Sequence, residues 1–90
     1  ILAHAGDGNM HPLISTDTND KEEWQRVEAA SREIFDLAIS YHGTLSGEHG
    51  IGLAKTKYLP LVMNQDSMDL TAAVKQAVDP SGILNPGKFV

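Results

Sequence analysis

The chain has 90 residues, the length of one domain, and its 12 acidic and 7 basic residues give a net charge of −5 with 41% hydrophobic residues. The scattered basic residues argue against nucleic-acid binding. The absence of cysteine excludes disulfides and thiolate ligands, so any transition-metal site must use His, Asp or Glu. No apolar run approaches the roughly 20 residues of a membrane span, so we expect no transmembrane segment. Our expectation is a cytoplasmic location, with peripheral membrane attachment left open.

Two short apolar-rich runs, residues 1–5 and 10–16, flank the glycine-containing sequence "GDGN" at 6–9, a pattern typical of a β-hairpin. A four-residue loop at 6–9 would place His4 directly opposite His11. Their imidazoles would then share one face of the hairpin, close enough to bind one ion, whereas a one-residue slip would separate them. The chain enters this first run without an initiator methionine, which we interpret as a sign of a fragment cut from a longer protein.

A long amphipathic helix is predicted next. Asp20 fits an N-cap, and Glu23 three residues later completes a capping-box pattern. Apolar residues then recur at helical spacing and predict one buried stripe. The stripe comprises Trp24, Val27, Ala30, Ile34, Leu37, Ala38 and Tyr41. The helix should end around His42, with Gly43 as its C-terminal cap.

The sequence of the second half of the chain predicts a loop, then helices, then a tail. "GTLSGEHGIG" (43–52) is a loop whose four glycines permit close backbone approach. "AKTKYLPLVM" (54–63) is ambiguous, and one interpretation is a short helix broken before Pro60. A second main helix is expected over about 67–78, stopped by Asp79 and Pro80. Its expected packing residues are Met68, Ala72, Val74, Ala77 and Val78.

The tail carries two turn signals, Pro80-Ser81-Gly82 and Asn85-Pro86-Gly87. The predicted class is therefore α+β: an N-terminal β-hairpin, two main helices and an irregular C-terminal tail.

The strongest chemical signal is the pair His4 and His11, because imidazole is a common ligand for divalent transition metals. A catalytic metal site usually has three protein ligands, and Glu48 in "GEHG" would complete a His₂Glu set. His49 beside it is a candidate proton acceptor. The alternative is a flexible surface loop with incidental polar residues. Asp7 is another candidate ligand, although aspartate in such turns commonly bonds the turn backbone.

Other enzyme templates fit poorly. The sequence lacks G-x-G-x-x-G, G-x-x-x-x-G-K-[ST] and H-E-x-x-H motifs. Ser46 near His49 lacks the strand–elbow–helix context that nucleophilic catalysis by a serine requires.

Three motifs occur in order, "HAGDGNMHP", "GTLSGEHGIG" and "DPSGILNPGK", with a predicted helix between each pair. Together they resemble the C-terminal end of the FAD-linked oxidases, which include the glycolate oxidase FAD subunit, D-lactate dehydrogenases and D-2-hydroxyglutarate dehydrogenase. The resemblance covers nearly the whole chain. It implies a larger protein, with a preceding FAD-binding domain of the vanillyl-alcohol-oxidase type. Residues 1–78 would belong to its cap domain, and 79–90 would return toward the FAD domain.

The resemblance also implies roles for individual residues. His4, His11 and Glu48 match residues that bind a divalent metal, commonly zinc, and His49 matches the catalytic base. The resemblance also implies that Asn85, in the tail that returns toward the flavin, contacts FAD. A D-2-hydroxy acid would bind the metal through its hydroxyl and carboxylate oxygens, lose a proton to His49 and pass hydride from C2 to the flavin.

Two alternatives remain at this stage. The chain by itself is an inactive fragment that only binds metal or self-associates, or it is a zinc hydrolase using the same His₂Glu set. Partner subunits and a homodimer are both open, as are the electron acceptor and the identity of the hydroxy acid.

Overall fold

In a computed structural model, residues 1–89 are described, and they form a two-stranded antiparallel sheet and three helices. The elements in chain order are β1 (Leu2–His4), β2 (Asn9–His11), α1 (Lys21–Ser40), a 3₁₀ helix (Thr56–Leu61) and α2 (Gln65–Val78). They divide into two compact units, Ile1–Glu48 and a second unit from His49 onward. This content agrees with the predicted α+β class. Within residues 1–89, no helix has the length and apolarity that crossing a membrane would require.

The hairpin forms, but its loop starts one residue earlier than predicted. The loop comprises residues 5–8, so His4 pairs with Asn9 and Leu2 pairs with His11. The expected direct pairing of His4 with His11 was therefore wrong. The difference is an even number of residues, and because strand side chains alternate with a period of two, both histidines still project from the same face. The Asp7 amide closes the loop by donating to the His4 carbonyl at 3.0 Å.

The second strand is shorter than predicted, ending at His11 rather than at residue 16. Pro12 has no amide hydrogen and therefore cannot donate to a continuing ladder.

The predicted start of α1 is confirmed. The Asp20 side chain caps the helix by accepting hydrogen bonds from the amides of Glu22 and Glu23, at 2.9 and 3.0 Å. The Asp20 amide itself donates to the Asp17 carbonyl at 3.1 Å, so this donor is satisfied from the preceding turn rather than by the Glu23 side chain.

The face of α1 that is shielded from solvent overlaps the predicted apolar stripe only in part. Val27, Ala30, Ile34 and Ala38 are half-buried as expected. Leu37 and Tyr41 are exposed (58% and 79%) and Trp24 is 43% exposed, so their predicted burial was wrong. Phe35 and Ile39 are half-buried instead. Successive helix residues are about 100° apart, so the shielded face is rotated from the predicted stripe toward these two positions. Trp24 and Tyr41 are exposed because they lie at the ends of the helix.

The C-terminus of α1 is closed by a Schellman motif, shifted by one residue from the prediction. The amides of His42 and Gly43 donate to the carbonyls of Ile39 and Ala38, at 2.9 and 2.8 Å. His42, not Gly43, adopts the left-handed conformation, with φ 62°. Gly43 is needed for a different reason: a Cβ there would lie 2.8 Å from the Ala38 carbonyl oxygen.

Replacing His42 by glycine should stabilise the protein by about 0.5–1 kcal/mol, because glycine occupies the left-handed region without a Cβ penalty. The measurement is the free energy of unfolding of the intact protein, with hydrogen exchange at the end of α1 as a local readout. His42→Ala, which keeps a Cβ, is the matched control and should bring no such gain. Equal stability of the glycine and alanine variants would contradict the prediction.

The second unit departs from its prediction in two places. The 3₁₀ helix runs through Pro60 instead of breaking before it. The second main helix begins at Gln65, earlier than expected, because the Asn64 side chain caps it by accepting from the Ser67 amide at 2.9 Å. Its end at Val78 is confirmed. In the described residues the buried apolar side chains are Leu45 in the first unit and Tyr58 and Leu59 in the second.

The shielded line of α2 also differs from the prediction. Of the expected packing residues, only Met68 is half-buried; Ala72, Val74, Ala77 and Val78 are exposed. The shielded positions are Met68, Thr71 and Lys75, at intervals of three and four, and they lead to the buried Asp79. The shielded line of the helix thus ends at a buried, charged residue rather than at an apolar one.

Asp79 fixes the start of the tail to α2. Its carboxylate accepts hydrogen bonds from the Lys75 ammonium and from the amides of Ile83 (3.1 Å) and Leu84 (2.9 Å). Both predicted tail turns form, closed by bonds from the Gly82 amide to the Asp79 carbonyl and from the Lys88 amide to the Asn85 carbonyl. The hydrogen bond from Lys75, followed by that from Leu84, holds the pKa of Asp79 below its ordinary value of 3.8; burial opposes this shift, and the Ile83 amide adds to it.

This lowered pKa predicts an acid-sensitive tail. Because the folded state favours the charged carboxylate, the stabilisation is fully present above the unfolded value of 3.8 and is lost as the pH falls from there through the lower folded pKa. Hydrogen exchange at the Ile83 and Leu84 amides, corrected for intrinsic rates, should show their protection falling over that range. Asp79→Asn should lose the pH dependence. Asp36→Asn, which breaks the exposed Arg32–Asp36 pair of the same spacing, should leave it intact.

Candidate metal centre

Three of the predicted site residues converge within the first unit. His4, His11 and Glu48 each offer one ligand atom, and these atoms lie within 4.8 Å of one another. His11 Nε2 is 3.2 Å from Glu48 Oε1. The two imidazole rings stand edge to face, with centroids 5.9 Å apart and planes at 77°. The fold thus brings His11 and Glu48 into contact although they lie 37 residues apart in the sequence.

The two histidines come from the ends of strands, and the glutamate comes from a loop. His4 is the last residue of β1 and His11 the last residue of β2, so the short hairpin presents both from one face. Glu48 comes from the loop that follows the α1 cap. The His11 side chain is 22% exposed and that of Glu48 is 52% exposed, so the site is open to solvent on the glutamate side.

The donor set fits a divalent transition metal. Two imidazoles and one carboxylate form the three-ligand arrangement that leaves a further position open on the metal. Atoms bound tetrahedrally to one zinc at about 2.0–2.2 Å lie about 3.3–3.6 Å apart. The three ligand atoms here lie within 4.8 Å of one another, so rotations of these side chains can bring them together on one ion.

The other candidates lie outside this cluster. Asp7 is exposed, and its backbone amide closes the hairpin loop. Both roles considered for its side chain, as a metal ligand and as a partner of the turn backbone, stay predictions. His49 directly follows Glu48 in the chain and opens the second unit. Asn85 is exposed in the tail at φ 47°, with its Oδ1 3.5 Å from the Lys88 ammonium. The roles of His49 and Asn85 stay predictions.

One contact at the site was not predicted, between Asn9 and Gly47. A Cβ built on Gly47 would lie 1.9 Å from Asn9 Oδ1 and 2.4 Å from its Cγ. The glycine-rich loop did indicate a close backbone approach, but nothing in the sequence indicated which side chain it approaches.

Comparison with known proteins decides the family. The family model for the C-terminal domain of FAD linked oxidases matches residues 1–89. The chain belongs to this family. One of its relatives is the glycolate oxidase subunit GlcD of Bacillus subtilis. The two are 51% identical over 98% of this chain and 19% of that protein.

Two further relatives carry related names. The chain is 37% identical to the mitochondrial D-lactate dehydrogenase [cytochrome] of Arabidopsis thaliana, over 100% of this chain and 16% of that protein. It is 37% identical to the D-2-hydroxyglutarate dehydrogenase of Stutzerimonas stutzeri, over 98% of this chain and 19% of that protein. The FAD-linked oxidase chain thus spans about a fifth of the length of these curated relatives. No solved structure matches it significantly.

Proposed function

We propose that this chain is the C-terminal, metal-binding segment of an FAD-dependent D-2-hydroxy acid dehydrogenase or oxidase of the glycolate or D-lactate type. The observation that carries the proposal is the convergence of His4, His11 and Glu48 in a chain of the FAD-linked oxidase family. The names of the relatives support the substrate class, since glycolate, D-lactate and D-2-hydroxyglutarate all have a hydroxyl on the carbon next to a carboxylate.

His4, His11 and Glu48 hold a divalent metal, for which zinc is the first candidate. When bound there, such an ion supplies Lewis-acid chemistry, lowering the pKa of a coordinated substrate hydroxyl. The exposed side of Glu48 leaves room for a small hydroxy acid to enter. The hairpin contributes rigidity, because its two histidines are fixed by the strand pairing rather than by a long flexible loop.

His49 takes the proton of the substrate hydroxyl. A general base must lie within hydrogen-bond reach of that proton, and the position next to Glu48 in the chain is what supports this role. FAD supplies the hydride acceptor chemistry. Asn85 contacts FAD: its exposed carboxamide and the Lys88 ammonium beside it are donors suited to a cofactor that carries phosphates and becomes more electron-rich on reduction.

The proposal includes the organisation of the whole protein. Residues 1–78 complete a cap domain, residues 79–90 return to an FAD-binding domain supplied by the rest of the protein, and further partner subunits or a homodimer complete the assembly. The proposed location is the cytoplasm, and the alternative is peripheral attachment to a membrane.

Family membership favours the oxidoreductase over the zinc hydrolase that the same His₂Glu set could support. The fragment hypothesis concerns the 90 residues alone: without an FAD-binding domain they would bind metal and carry out no redox reaction.

The test is to purify the intact protein and measure its flavin spectrum, its metal content and the anaerobic reduction of its flavin. Glycolate, both enantiomers of lactate and D-2-hydroxyglutarate are added in turn. We expect bound flavin, about one divalent ion per chain, and flavin reduction by glycolate or by a D-hydroxy acid. Absence of flavin would overturn the oxidoreductase proposal, and metal-dependent ester or amide hydrolysis would favour the hydrolase.

A further inference from the structure

Asn9 lies on the face of the hairpin that carries the proposed metal ligands. It pairs directly with His4, and it is two residues before His11 on the same strand. Because side chains alternate along a strand, all three project from one face. Among the first 15 residues, only Asn9 and His11 are partly shielded from solvent. The strand that carries His11 is therefore the part of the hairpin that another segment covers.

The covering segment includes the loop that carries Glu48. The Gly47 backbone rests on the Asn9 carboxamide so closely that a Cβ would fall 1.9 Å from Oδ1, 2.4 Å from Cγ and 2.9 Å from Nδ2. The next residue, Glu48, reaches His11 at 3.2 Å. Two consecutive loop residues thus contact two same-face residues of β2. The contact of Gly47 with Asn9 sets how near the loop lies to β2, and the contact with His11 is made by the proposed ligand, Glu48.

We propose that Asn9 is a positioning residue of the metal centre. Its carboxamide is the spacer on which Gly47 rests, and it thereby fixes the distance from which Glu48 reaches the two imidazoles. This inference rests on the proposed metal site and adds to it a residue that binds no metal. The role is one of shape: a smaller side chain would let the loop move, and a Cβ on Gly47 would push it away.

The test measures zinc affinity of the intact protein by competition with a chelator, a readout that does not depend on activity. Asn9→Ala removes the spacer and should weaken zinc binding by about 10–100-fold, the usual cost of losing a group that orients a ligand. Asn9→Leu has a similar branched outline without polar atoms, and it should stay close to the wild type. Met10→Ala is the matched control, because Met10 is exposed and projects from the opposite face of the same strand.

A double mutant adds a second, independent reading. Gly47→Ala should weaken zinc binding in the wild-type background and much less in the Asn9→Ala background, because the carboxamide with which its Cβ collides is then gone. Additive losses, or Asn9→Ala binding zinc like the wild type while Glu48→Ala does not, would overturn the positioning role and leave the metal site standing. Failure of the wild-type protein to bind zinc or another divalent ion would instead overturn the proposed site itself.

Discussion

Glu48→Ala should strip the metal from the intact protein, weakening its affinity for zinc by more than about 100-fold. The loss should be larger than that of a group that only orients a ligand, which costs about 10–100-fold. The substitution removes one of three donors and leaves two imidazoles that approach each other edge to face. Elemental analysis after dialysis and a chelator-competition titration are the measurements.

Two variants make this result specific. Glu33→Ala removes an exposed glutamate of α1 and should keep the full metal content. Glu48→Gln keeps the size of the side chain but replaces the carboxylate by a weaker amide ligand, so its affinity should fall between the wild type and Glu48→Ala. Equal metal occupancy in Glu48→Ala and the wild type would refute Glu48 as a ligand.

His49→Asn should slow anaerobic reduction of the flavin by about 100- to 10,000-fold, the range over which a positioned general base accelerates a reaction. Asparagine is close in size to imidazole near the backbone but cannot accept the proton of the hydroxyl group. Stopped-flow absorbance of the bound flavin, at saturating substrate, measures the rate. The metal content should stay unchanged, because His49 lies outside the His4, His11 and Glu48 cluster.

His42→Asn is the matched control for this variant. It changes a histidine that is exposed at the end of α1, and asparagine tolerates the left-handed conformation that this position requires. Its flavin should be reduced at the wild-type rate. Undiminished reduction in His49→Asn would remove this histidine from the role of base, and loss of metal from it would assign it to the metal site instead.

Local chemistry was predictable where a few neighbouring residues decide the outcome. The Asp20 cap, the end of α2 at Val78 and the two tail turns all follow from side chains within four residues of the feature. The burial of α1 and α2 was predicted less well. Apolar spacing alone cannot fix the rotation of a helix by one position, and in α2 the polar Lys75–Asp79 pair, rather than Val74 and Val78, lies on the shielded line.

The candidate site shows the same division. The hairpin and the His₂Glu set were proposed from the residues, and the structure brings the three side chains together. The register was missed because loop residues 5–8 and 6–9 both contain the two glycines and Asp7, so composition does not choose between them. The contact of Gly47 with Asn9 could not be predicted, since it joins segments 38 residues apart whose distance depends on α1 and its cap.

The pairing of the hairpin has a consequence for redesigning the loop at residues 5–8. As long as His4 stays opposite Asn9, His11 projects from the same face as His4 whatever the length of the loop, because directly opposed residues share a face. A replacement loop that shifts the pairing by one residue would turn the two histidines to opposite faces and abolish the pair without altering any ligand. Loop grafts between proteins that share this hairpin should therefore preserve the pairing of the strands rather than the length of the loop.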